Sequence, residues 1–174
     1  IRTPDDLRGL KLRVPVSPLW MSTFSTLGAA PAGLNFVQLY DALKTRTMDA
    51  QENSLAIIQT TKLYEVQGFC SLTNHIWDGF WLLANGRVWR TLPTDVQQIM
   101  AKHFNAAART QRQDIVRANV ELQKALEAKG LTFNQVDTGA FQQALAKTSF
   151  YKDARAKFGD EAWNLLQKYA GSVG

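Results

Sequence analysis

The chain holds a single cysteine, Cys70, so no disulfide can form within it. That shortage does not fix a compartment, because a reduced protein and a secreted protein large enough to fold without staples give the same count. Histidine is scarce too: His75 and His103 are the only two. Neither has a Cys or an acid nearby at metal-ligand spacing, so no metal site is expected, and no cofactor is implied. A glycine-rich phosphate loop is missing, and no Ser sits in a nucleophile elbow. No apolar run approaches the roughly 20 residues that cross a bilayer. The chain opens Ile1-Arg2-Thr3-Pro4-Asp5, which is not a signal peptide. Net charge is +5 with a pI near 9.5, yet no run of four basic residues occurs. Arg109, Arg112 and Arg117 are spaced by polar residues on a long expected helix, which reads as a solvated face and not as a nucleic-acid surface. The lack of a credible catalytic set points to binding without chemistry.

What is present is an alternation of short strands and helices. Thr3-Pro4-Asp5-Asp6 has a cap, a first-turn proline and first-turn acids, and predicts a helical turn. A strand over Lys11 to Val14 follows. Ser17-Pro18 opens a helix that ends at Gly28. Residues 31 to 36 read as extended, Val37 to Thr45 as a helix, and Met48 to Gln51 as a strand. Ser54 to Tyr64 reads as a helix with Leu55, Ile58 and Leu63 inward, and Gly68 to Thr73 as a strand. Gly79 to Asn85 is apolar on both faces and predicts a further, doubly covered strand. Left alone it would expose an unpaired edge, so it should pair with an equivalent segment of another chain or be covered by a part of the protein outside these residues. Pro93 opens the longest helix, ending near Lys129-Gly130. At 1.5 Å per residue it would span roughly 55 Å and must bridge two bodies or bend. A strand over Leu131 to Val136 and helices over Thr138 to Ala146, Tyr151 to Lys157 and Glu161 to Ala170 close the chain. The class is α/β with a largely parallel sheet.

In open sheets of this kind, ligands bind beyond the carboxyl ends of the strands. Arg13, Asn53 and His75 all lie at or just past such ends. Arg13 sits between Leu12 and Val14 on an apolar strand, and a buried guanidinium needs a partner. That partner is either a ligand carboxylate, which meets the guanidinium fork in parallel, or a structural acid such as Glu52. Glu52 could also orient Asn53. Asn53 either caps the helix that follows it or faces the site. Phe36 is either core or the mouth of a strand-to-helix turn.

The runs Gly9 to Pro15, Leu27-Gly28-Ala29, Leu39 to Leu43, Asp49 to Asn53, Tyr64-Glu65-Val66, Thr73-Asn74-His75 and Leu92-Pro93 resemble, in order and spacing, the solute-binding proteins of TRAP transporters, the DctP family. The resemblance covers nearly the whole chain. It implies the two-lobe periplasmic binding protein fold, with a long helix crossing both lobes and a ligand trapped by hinge closure. This chain would supply the second lobe (1–78), a strand and long helix crossing to the first lobe (79–128), and a return to the second lobe (129–174), with the first lobe largely absent.

The resemblance further implies that Arg13 holds a ligand carboxylate, that Asn53 touches the ligand, and that Phe36 packs against it. Val16, Ser17 and Trp20 should then face the cleft, although Trp20 reads equally as core. Val16, Trp20 and Phe36 together favour a carboxylate with an apolar or aromatic body over a sialic or sugar acid. Arg46 and Ala50 stand where the family commonly has glycine. The implied function is capture of a small organic acid in the periplasm and delivery to a permease with a small and a large integral subunit, driven by sodium. A ligand-sensing regulatory domain and a small α/β enzyme using His75 are the competing classes.

Overall fold

The computed structural model describes residues 1–171. These form two compact units, one of residues 1–74 with 126–171 and one of residues 75–125.

The first unit is built on two small parallel sheets. β1 (Lys11–Val14) lies in the middle of the larger one, between β2 (Ala30–Gly33) and β3 (Ala50–Gln51). β4 (Phe69–Ser71) and β5 (Thr132–Asn134) pair in parallel as the second. The parallel class expected from the sequence is therefore found. Between β1 and β2 the chain crosses over through α1 (Pro18–Thr26), which starts at a proline in its first turn as Ser17-Pro18 predicts. Gly28 then reverses the chain with a φ of 89°, a conformation that a Cβ would strain. The core of this layer is Leu7, Leu12, Val14, Phe24 and Leu27, and α6 (Thr138–Ala146) packs Phe141, Ala144 and Leu145 against it. The chain start is tied to the second sheet, where Ser71 Oγ donates to the Ile1 carbonyl at 2.7 Å.

The second crossover differs in detail from the reading of the sequence. A helical turn at Phe36–Gln38 precedes α2 (Leu39–Lys44). The helix expected over Ser54 to Tyr64 is split, because α3 ends at Thr60 (Leu55–Thr60) and Lys62 adopts a left-handed φ of 57° before a short turn at Leu63–Glu65. Leu55, Ile58 and Leu63 are nonetheless buried, as their spacing predicts.

The second unit departs further. Residues 72–85 form neither helix nor strand, which corrects the strand expected over Gly79 to Asn85. The physical reason is the lack of a ladder: a strand is held by hydrogen bonds to a neighbour, and no described residue supplies one. Asn85 instead caps a helix that the sequence reading missed, α4 (Gly86–Thr91), its side chain accepting from the backbone N–H groups of Arg87 and Val88. α5 (Thr94–Glu127) has 34 residues and so runs about 50 Å, close to expectation. Arg109, Arg112 and Arg117 are exposed along it, and Arg117 pairs with Asp114 one turn away. The chain re-enters the first unit at Leu126 and ends in α7 (Phe150–Phe158) and α8 (Asp160–Ala170), joined by an edge contact of Tyr151 on the buried Trp163.

Candidate functional site

The carboxyl ends of β1, β2 and β3 meet at one edge of the larger sheet. Arg13 stands on the central strand, opposite Ala32 of β2 and Gln51 of β3. Its side chain is only 4% exposed. Nε donates to the Leu34 carbonyl at 2.9 Å. Among the described residues, this is the one hydrogen bond the fork makes, so both terminal nitrogens keep their N–H groups for something else. Burial pushes the guanidinium below its ordinary pKa, and the Glu52 carboxylate pushes it back up. An arginine stays charged through such a shift. The result is a desolvated, positioned cation whose two parallel donors suit a carboxylate.

Phe36 enters from the end of β2. Its ring lies 5.8 Å from the Arg13 guanidinium carbon and is 43% exposed, so it flanks the cation and is not core. Val16 follows β1 and lies over the end of β2, its Cα 3.5 Å from where a side chain on Gly33 would begin. Ser17 is the residue before α1, and its N–H donates to the Pro15 carbonyl at 2.7 Å.

Asn53 does not cap the following helix. Ser54 occupies that position, and Asn53 Nδ2 instead donates to Gln51 Oε1 at 2.5 Å. The capping role weighed for Asn53 is thus replaced by a side-chain pair. Gln51 is the residue the sequence reading missed. The signal was there, because residues 51 and 53 share a face in extended chain, and Gln51 is the strand neighbour of Arg13.

Trp20 packs its ring against the Leu12–Val14–Phe24 core, so its contacts are those of a core residue. His75 opens the second unit and is exposed there. Among the described residues no three His, Cys, Asp or Glu side chains gather as a metal site. A crevice of about 360 Å³ between the first helical turn, the end of α1 and α6 contains none of the strand-end residues, and its Arg8 is engaged by Asp5 at 2.9 Å.

Residues 1–155 match the family described as bacterial extracellular solute-binding protein, family 7 (DctP). The 2,3-diketo-L-gulonate-binding periplasmic protein of Escherichia coli is 31% identical over 157 residues, which is 88% of this chain and 48% of that protein. A TRAP periplasmic solute binding protein from Roseobacter denitrificans with bound L-galactonate superimposes with a TM-score of 0.82 at 33% identity, over 97% of this chain and 54% of that one. One from Polaromonas bound to D-erythronate gives a TM-score of 0.89 at 28% identity, over 96% and 55%. The chain thus spans about half the length of the relatives it matches. With a parallel sheet carrying a buried arginine at its strand ends, and this match over most of its length, the chain belongs to the DctP family of solute-binding proteins of TRAP transporters.

Proposed function

We propose that this chain provides the carboxylate-holding part of a periplasmic protein that captures a small hydroxylated organic acid. The observation that carries the reading is Arg13, buried at the sheet end with both terminal nitrogens unengaged. A charge-assisted pair there contributes about 1.5–3 kcal/mol. The Glu52 carboxylate favours the charged guanidinium, Phe36 and Val16 flank the ligand, and Asn53 and Ser17 offer polar contacts. The remaining affinity comes from closure and apolar contact.

The ligand reading departs from the apolar or aromatic body expected earlier. Trp20, one of the three residues behind that expectation, is engaged with the core. Relatives with bound L-galactonate and D-erythronate make sugar acids the first class to try. Delivery of the acid to a two-subunit membrane permease driven by sodium completes the proposal, supported by the naming of those relatives as TRAP periplasmic proteins.

A thermal-shift series tests it. L-galactonate and D-erythronate should raise the melting temperature, whereas the matching uncharged alditols should not. Equal stabilisation by acids and alditols, or stabilisation by arylalkanoates alone, would contradict it.

A further inference from the structure

We infer that one basic stripe of α5 docks the protein on an anionic lipid surface, through Lys102, Arg109, Arg117 and Lys124 with Val116 and Val120 set among them.

The four cations follow one another at steps of 7, 8 and 7 residues (102 to 109, 109 to 117, 117 to 124). At 3.6 residues per turn, these steps keep all four within an arc of about 80°. From Lys102 to Lys124 the stripe runs about 33 Å along a single helix. Every one of the four is exposed, and among the described residues only Arg117 has an acid partner, Asp114, on its flank. Glu121 falls outside the arc, and Asp95 and Glu127 lie beyond its two ends. The stripe itself is therefore a line of positive charge with no acid along it. Leu126, the buried residue of α5, is on the opposite side of the helix, so the stripe is not the face by which the helix packs.

The valines decide between partners. Val120 lies on the stripe and Val116 at its edge, and they are 62% and 70% exposed. At a bilayer surface the cations meet headgroup phosphates while apolar side chains between them enter the acyl boundary. A nucleic-acid backbone offers phosphates but nothing apolar to the valines. A duplex is also convex, and two crossed rods touch over a short stretch, whereas a line of about 33 Å meets a flat surface along its whole length. Anionic headgroups thus use every residue of the stripe.

Co-sedimentation of the whole chain with vesicles tests this. Vesicles of equal parts phosphatidylglycerol and phosphatidylcholine should bind the protein, and pure phosphatidylcholine should not. Each cation near such a surface strengthens binding about fivefold. Replacing all four stripe cations by Gln, which keeps helix propensity, should weaken binding at least about a hundredfold, with circular dichroism confirming the helix. Arg109→Gln alone, the milder variant, should weaken it about fivefold. Replacing four exposed lysines of the first unit, Lys44, Lys147, Lys152 and Lys168, by Gln removes the same net charge and should weaken it less than about tenfold. Val116→Ser with Val120→Ser should weaken it about threefold or more. Equal losses in the two fourfold variants would show attraction by net charge alone and overturn the inference. So would unchanged binding in Arg109→Gln or in the valine variant, equal binding to both kinds of vesicle, or retention by duplex DNA without binding to anionic vesicles.

Discussion

Val14 and Phe80 sit in two short apolar stretches with opposite surroundings. Val14 is fully buried on the middle strand of a parallel sheet, with strands on both sides and helices over it. Phe80 is 93% exposed on a stretch of backbone without helix or strand, beside Trp77, Trp81, Leu82 and Leu83, which are also open. Apolar composition supplies the tendency to be buried, but the ladder and the covering helices must come from other residues. Leu12–Val14 have them inside their own unit, from residues 30–33 and 50–51. For 79–85, no described residue provides them.

Hydrogen exchange sharpens this contrast most. The ladder amides of Leu12 to Val14 should exchange at least about a thousandfold more slowly than those of Trp81 to Ala84, because the former open only with the unit. Comparable protection over 81–84 would show that the second stretch is paired after all. Substitutions give the next largest effect. Leu39, 1% exposed on α2, should lose about 2–5 kcal/mol on Leu39→Ala in urea unfolding. Leu83→Ser should change stability by no more than about 0.5 kcal/mol. A loss at Leu83 as large as that at Leu39 would mean that the segment is covered.

The same contrast explains what was legible in the sequence. Where local chemistry decides, the reading and the structure agree. Ser17-Pro18 starts α1, and Thr138 to Ala146 is α6 residue for residue. Arg13 stood out because a cation in a four-residue apolar strand needs a partner. Where a distant neighbour or a side-chain cap decides, the reading failed. Phe80 to Ala84 looked like a strand without a visible ladder. Asn85 looked like the end of that strand and not the cap of α4. Trp20 could not be divided between cleft and core by spacing alone. Gln51 was passed over although it shares a face with Asn53 in extended chain, because its place beside Arg13 is visible only in the fold.

Arg46 offers the smallest test in the first unit. It holds a left-handed φ of 59°, and its carbonyl accepts from Lys11 Nζ at 3.2 Å. Arg46→Gly keeps that carbonyl and removes the Cβ strain, so it should stabilise the protein by about 1 kcal/mol. A destabilised variant would show that the Arg46 side chain holds the turn.

The central claim is that Arg13 receives a carboxylate. Titration calorimetry with L-galactonate on the wild-type protein, Arg13→Lys and Arg13→Ala tests it most directly. The account predicts at least a tenfold loss for Arg13→Ala with the fold retained. Arg13→Lys should also be clearly weaker than wild type, because an ammonium cannot reproduce the two parallel donors of the fork. Wild-type affinity in a folded Arg13→Ala would contradict the account.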